Sequence, residues 1–495
     1  MQGKVHPLVY EINTRCWLRS LSARSSHPVT LASVPESEFT RWRDLGFTHV
    51  WLLGVWPTGP RSRAAAMADP ALRRALAETL PDWTEADFAG SPFAIADYTV
   101  APELGGEAGL KEFRAKLHTH QLRLLLDFVP NHLGLDHPWV VEKPDLFVQA
   151  ANDAPESFLA ETRSGPRRLA HGKDPNFFAW VDTAQLDYRR LDTRSAMVRL
   201  LESVAPRCDG VRCDMAMLLV NEVFDRTWEK FPGSAPSSEG EFWAEAIQAV
   251  RKSQPDFLFL GEVYWDMEAR LQGLGFDYTY DKRLYDYLVY RNHADVQRRL
   301  LALTPEFIAA SAHFLENHDE ARVASILSLP EHRAAALVTL ALPGLRLLHD
   351  GQLDGARIKT PVHLAVRPEE PARPDIAAFY EDLLAALKPG PVGRGTAELL
   401  KPRVAWPDNA TAQNFVAVQW QTAPDTFTLA VANLAPHRGQ CFVPLTVKDL
   451  AKRNWVLKDR LGTEEHQRYG DDLQEQGLYL DLPEHGAQLF HFVPA

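Results

Sequence analysis

The chain has 495 residues, 45% of them hydrophobic and 24% charged, an ordinary globular composition with room for one large core and one or two smaller domains. A formal net charge of −12, with no clustered excess of Lys and Arg, argues against a nucleic-acid partner and against an anionic membrane surface. No apolar run approaches the ~20 residues needed to span a bilayer, so no membrane partner is expected either.

Residues 1–6 lack the apolar core of a signal peptide and lead directly into a strand-like run, 8–12, which favours a cytoplasmic location. A chain whose signal had been removed would read the same way. Cys16, Cys208, Cys213 and Cys441 have no metal-ligand spacing and are too few for a disulfide framework, so they read as reduced packing residues.

Short β-rich runs then alternate with longer helical ones, the sign of βα units and a parallel sheet. Strands are predicted over 9–13, 49–55, 122–129, 210–215, 257–263, 278–281, 312–316 and 345–349, although 278–281 also reads as a loop. Helices are predicted over 36–45, 109–120, 194–204, 240–253, 294–302, 331–342 and 375–387. Eight such strands predict an α/β fold, a closed (β/α)8 TIM barrel. Two long interruptions, 61–90 with a helix-like 64–80, and 133–188, would stand over the carboxyl ends of the strands. After about 396 the pattern changes to short alternating runs such as 415–419, 427–432 and 489–493, the signature of an antiparallel β-sandwich. The expected domains are a barrel over 1–132 and 189–392, an inserted domain over 133–188 and a C-terminal sandwich over 393–495.

The run Gly210-Val211-Arg212-Cys213-Asp214 reads as a buried strand on which Arg212 and Asp214 share a face. An arginine beside an aspartate favours the ionised carboxylate, as a carboxylate nucleophile requires. Alone, this pattern is more often an internal salt bridge. Its company changes the balance: Asp214, Glu262 and Asp319 each follow a different predicted strand and would converge over one mouth. Retaining glycosidic chemistry needs a nucleophile beneath the anomeric carbon and a protonated acid beside the leaving oxygen. Asp214 fits the first role. Glu262, followed by Val263-Tyr264-Trp265, has the apolar setting that would keep it protonated. Asp319 would hold sugar hydroxyls in the transition state and discourage ionisation of Glu262. His132 and His318 are expected against hydroxyls of the same sugar, Asp127 against Arg212 or the backbone, and Phe93 beneath a sugar face, with core packing an equal alternative for that ring. Asp97, Tyr98 and Trp265 are further candidates for sugar contact.

The blocks 127–132, 210–214, 261–263 and 314–319 resemble, in order, the four signature blocks of the α-amylase family of glycoside hydrolases, glycoside hydrolase family 13. Stretches 90–98, 342–344 and 351–352 resemble that family too, and the resemblance runs from about 9 to 352. It implies a barrel with a domain inserted after the third strand and a C-terminal β domain. It also implies Asp214 as nucleophile, Glu262 as acid/base and Asp319 as transition-state stabiliser. Many members carry a Lys-His pair three and four residues after the nucleophile, tied to the leaving-group side and a structural calcium. Met217 and Leu218 stand there instead, so that calcium site is expected to be absent or altered despite Asn131, and the acceptor side to differ. Residues 136–140, Asp-His-Pro-Trp-Val, are similar to a stretch found in members that transfer maltosyl units as well as in hydrolases. The expected enzyme is a retaining, cofactor-independent glycosidase with no metal ligand among its site residues, acting on α-linked, chiefly α-1,4, glucose oligosaccharides or polysaccharides. Its alternatives are a transglycosylase or disaccharide-isomerising enzyme with the same site, and a catalytically silent sugar-binding protein.

Overall fold

The computed structural model describes residues 5–151, 154–233, 240–423 and 425–495. Eight parallel strands close a barrel: β1 (Leu8–Asn13), β2 (His49–Leu53), β3 (Arg123–Phe128), β4 (Gly210–Cys213), β5 (Leu258–Gly261), β6 (Tyr278–Tyr280), β7 (Ser311–His313) and β8 (Leu345–His349). Each pairs with its neighbour in sequence, and β1 closes the ring against β8. All eight coincide with predicted strands, including 278–281.

The period of two separates the wall's faces. Val9, Trp51, Leu125, Leu260, Ala312, Leu345 and Leu347 form one cluster inside the barrel. Their neighbours Leu8, Val50, Leu124, Leu126, Val211 and Phe259 belong to a second cluster shared with the surrounding helices. A strand buried on both faces must be apolar almost throughout, so the inward Arg212 stands out. The observed strands stop a residue or more before several predicted ends because the chain turns over the mouth there. Single bonds continue the ladder past those ends: Asp214 N–H donates to Phe128 O at 2.9 Å, and Glu262 N–H to Cys213 O at 3.0 Å.

The predicted helices are present, Glu36–Leu45 with the expected bounds and the others with shifted ends, for example Leu191–Val204 for 194–204 and Phe242–Ser253 for 240–253. The continuous helix-like 64–80 is corrected to two, Pro60–Met67 and Pro70–Thr79. Pro70 lacks an N–H and fits only a first turn, and Asp69 caps that turn by accepting from Ala71 N at 2.8 Å. Helices Thr14–Arg24, Asn221–Trp228 and Lys282–Val289 lie outside the predicted set.

Between β3 and β4 the chain forms two small antiparallel pairs, His132–Gly134 with Thr183–Gln185 and Ser157–Thr162 with Gly165–Ala170. After helix Pro374–Leu387 comes an antiparallel sandwich of a six-stranded and a three-stranded sheet. Phe427, Leu429 and Phe490 from the first sheet and Cys441, Val443 and Leu480 from the second fill one core. Trp420 crosses to the barrel, its buried indole N–H donating to Ala341 O at 2.6 Å. Among the described residues no helix is long and apolar enough to cross a membrane.

Candidate active site

The site is assembled where β3, β4, β5 and β7 end. On β4, Val211 and Cys213 pack outward, so Arg212 projects into the barrel and Asp214 follows on its side. Arg212 Nη1 donates to Asp214 Oδ1 at 2.6 Å, Nη2 lies 2.7 Å from Glu262 Oε2, and Nε donates to the Tyr280 hydroxyl at 3.3 Å. One wholly buried guanidinium therefore holds two carboxylates from neighbouring strands. Met215, directly after Asp214, is left-handed at φ 41°, and this turns its N–H onto Glu262 Oε2 at 2.7 Å. That conformation costs a non-glycine residue roughly 1–2 kcal/mol, strain of the kind held at functional sites. The Tyr264 hydroxyl donates to Glu262 Oε1 at 2.9 Å.

Burial pushes Glu262 up to about 7; Arg212 opposes the shift, and Asp214 and Asp319 reinforce it. Burial also raises Asp214, with Arg212 pulling it back through charge and hydrogen bond. Arg212 thus acts on Asp214 as expected, against a larger desolvation effect. With one cation between them, both buried carboxylates are raised, and their protons belong to the pair as a unit.

Asp319 sits at the rim with its side chain 43% exposed, 3.0 Å from His318 Nε2. Burial would raise it, but His318, by charge and hydrogen bond, together with Arg212 and Lys359 holds it well below the usual carboxylate range. His318 also meets Glu11 Oε1 through Nδ1 at 2.5 Å. Burial would lower His318, yet Asp319 and then Glu11 lift it to about 10, so its ring is an imidazolium at neutral pH. The Phe93 ring centre lies 5.5 Å from the His318 ring and 5.2 Å from the Arg212 guanidinium carbon.

The geometry thus gathers Arg212, Asp214, Glu262, Asp319, His318 and Phe93. His132 is buried, with its ring 5.0 Å from Trp180 and a hydrogen bond to the Phe93 backbone; burial lowers it to about 3, against that bond, and leaves it neutral. Asp127 braces the backbone: its carboxylate accepts from Trp51 Nε1 at 2.9 Å and from the N–H of Gly54 at 2.6 Å. Gly54 is left-handed at φ 79°, and a Cβ there would meet Pro92 at 3.0 Å. Tyr98 is buried, its hydroxyl donating to Val129 O at 3.1 Å and accepting from Val129 N at 2.9 Å, which makes it a brace. Asp97 faces solvent and accepts from Thr99 Oγ1 at 3.0 Å. Trp265, left-handed at φ 62°, is 38% exposed. Sequence reasoning missed Tyr264, Tyr280, Glu11 and Lys359, whose ammonium reaches the Asp319 carbonyl. A lone glutamate in the apolar run of β1 was a readable signal for Glu11.

The family model described as "Alpha amylase, catalytic domain" matches residues 42–357, more than half of the chain. The chain belongs to the α-amylase family. This family member is 26% identical over 324 residues to the α-amylase MalA of Haloarcula japonica, covering 64% of this chain and 43% of that one. It is 27% identical over 247 residues to the α-1,4-glucan:maltose-1-phosphate maltosyltransferase of Burkholderia pseudomallei, covering 48% and 18%. The chain therefore spans less than half the length of both relatives. Among solved structures, the noncanonic maltogenic α-amylase AmyB of Thermotoga neapolitana superposes with a TM-score of 0.68 at 17% identity, covering 99% of each chain. An α-amylase from Lactobacillus plantarum does so with 0.65 at 21%, covering 98% and 99%. At those identities the likeness is one of fold.

The donors present do not suit the family's calcium. Met217 and Leu218 are buried in the core, and the Asn131 amide closes on Gln185, donating at 3.1 Å and accepting at 3.0 Å. The same burial removes Met217 and Leu218 from any surface a sugar acceptor would meet.

Proposed function

We propose that this α-amylase family member cleaves α-linked glucose chains, chiefly at α-1,4 bonds, with retention of anomeric configuration. The observation that carries the reading is the single guanidinium holding Asp214 and Glu262 while burial brings Glu262 to about 7. Two carboxylates held by adjacent nitrogens fit the close spacing, about 5–5.5 Å, of retaining enzymes. In the first step an Asp214 oxygen attacks the anomeric carbon as Glu262 gives its proton to the departing glycosidic oxygen. Glu262, now ionised, takes a proton from water, and the oxygen of that water displaces Asp214. The ionised, rim-exposed Asp319 accepts hydrogen bonds from ring hydroxyls as the sugar flattens. A sugar hydroxyl in place of water would turn the second step into transfer, a reading supported by the similarity to a maltosyltransferase. The four cysteines are buried and unpaired, which supports a reducing, cytoplasmic setting.

Purified protein incubated with maltoheptaose should release shorter products, first as α-anomers. Products both longer and shorter than the substrate would assign transfer. Asp214→Asn should fold normally and lose turnover by on the order of 10⁴-fold, the scale of deleting one member of a catalytic unit. Near-normal turnover in that variant would refute the nucleophile assignment, and binding of maltoheptaose with no bond cleaved would indicate a silent sugar-binding protein.

A further inference from the structure

At the opposite, amino-terminal end of the barrel lies a cavity of about 430 Å³, between the starts of β1 and β8 and the helices Glu36–Leu45, Leu329–Ala341 and Pro374–Leu387. Four cationic side chains line it, Arg43, Arg346, Lys388 and Arg394, with His6 and His120 beside them and no carboxylate among the lining residues. The chain as a whole carries −12, so this is a local reversal of sign.

Arg346 distinguishes the place from an ordinary basic surface. Leu345 and Leu347 fill the barrel interior, so Arg346 points outward between wall and helices, where it is only 7% exposed. Its Nη2 donates to His6 O at 2.9 Å, but among the described residues its Nε has no hydrogen-bond partner and no carboxylate pairs with it. Arg322 shares the unpartnered Nε, so what sets Arg346 apart from the other buried arginines is the weakness of its remaining partners. Arg189, Arg212 and Arg322 meet carboxylates, and Arg194 gives its three nitrogens to the oxygens of Tyr188, Gly240 and Asn221. Around Arg346 the neighbours add positive charge. Arg394 donates to the carbonyls of Lys388 and Gly390, and Lys388 to the carbonyl of Asp44. Among the described residues, Arg43 has the carboxylate of Asp44 and His120 that of Glu36, and Arg346, Lys388 and Arg394 have none. Burial lowers Arg346 to about 10, with Tyr278 opposing and Arg394 adding to the shift.

A buried guanidinium without an anion is unfavourable, and its planar fork of donors matches phosphate oxygens. The cavity volume lies within the ~300–1,000 Å³ range of small-molecule sites. We propose that this cavity binds a phosphate group, as inorganic phosphate or as the phosphate of a sugar phosphate, with Arg346 at its floor and Lys388 and Arg394 at its rim. The proposal is independent of the chemistry at the other mouth.

The test is titration of the full chain with sodium phosphate and with glucose 6-phosphate, by calorimetry and by unfolding temperature, against sodium chloride at matched ionic strength. Saturable binding of at least one of them is expected, with a rise in unfolding temperature that chloride does not reproduce. Arg346→Gln should abolish binding. Should that variant fail to fold, Lys388→Gln with Arg394→Gln, at two exposed positions, carries the test and should weaken binding by about tenfold or more. Equal affinities for both probes identify bare phosphate, and tighter glucose 6-phosphate binding identifies a sugar phosphate. No saturable binding, an equal effect of chloride, or unchanged affinity in the rim variant would overturn the proposal.

Discussion

Arg212 and Arg346 are both carried on barrel strands and both buried, yet they sit in opposite electrostatic company. Arg212 points into the barrel and meets Asp214 and Glu262 within 2.7 Å. Arg346 points out of the wall toward helices and meets a carbonyl, with further cations nearby. At the carboxyl mouth the charge is matched from within, and the excess of carboxylate over cation leaves a proton to be held. At the amino end the charge is unmatched, and the excess of cation leaves an anion to be recruited. The same residue type thus serves two ends of one fold, and the carboxylates around it decide which.

Arg212→Met should break this comparison most severely. It leaves Asp214 and Glu262 buried without their cation, and removing one partner of a buried ion pair costs roughly 3–5 kcal/mol. Denaturant unfolding at neutral pH should show that loss, with turnover gone as well. Both carboxylates would then be raised further, so the penalty should shrink at pH 5, where they are more nearly neutral. A loss below about 1 kcal/mol would mean that the pair is not the buried unit described here.

The next effect is smaller and concerns the proton. With Glu262 at about 7, kcat/KM on a maltooligosaccharide should fall on the alkaline side as that proton is lost. Asp319 is one of the charges that hold Glu262 up. Asp319→Asn should therefore move the alkaline limb of the residual activity to lower pH, burial and Asp214 maintaining the remainder of the shift. An unmoved limb would leave Asp319 without electrostatic influence on Glu262.

Much of the carboxyl mouth was legible in the sequence because its residues lie at strand ends that hydrophobic periodicity locates. Arg212 and Asp214 are two apart on one strand, and Glu262 and Asp319 each follow an apolar run. What escaped was set by tertiary geometry. The partner of Glu11 is His318, 307 positions away, and nothing local announces that contact. Tyr264 was read as part of an apolar setting, whereas its hydroxyl engages Glu262 directly. Tyr98 and Asp97 belong to one short stretch, but the turn there buries one against Val129 and exposes the other, a difference no period predicts. The helix-like 64–80 failed for a local reason: alanine-rich propensity masked the Asp69-Pro70 boundary, which restarts the helix. The cationic cavity was invisible because its lining residues come from segments more than 300 positions apart, and overall composition pointed to an acidic protein.

Arg346→Met sharpens the comparison from the other side and should have the smallest effect. In phosphate-free buffer the substitution removes a buried charge that has no counter-charge, at the cost of one bond to His6 O, so stability should change by no more than about 1 kcal/mol or should rise. In saturating phosphate only the wild-type chain should gain stability, by about 2.7 kcal/mol at a hundredfold excess over Kd, because only it retains the buried donor fork. The contrast with Arg212→Met is then one of sign as well as size: one arginine is needed by carboxylates already present, the other by an anion still to be bound. A loss in phosphate-free buffer as large as that for Arg212→Met would mean that Arg346 is compensated within the fold, and the distinction between the two ends of the barrel would fail.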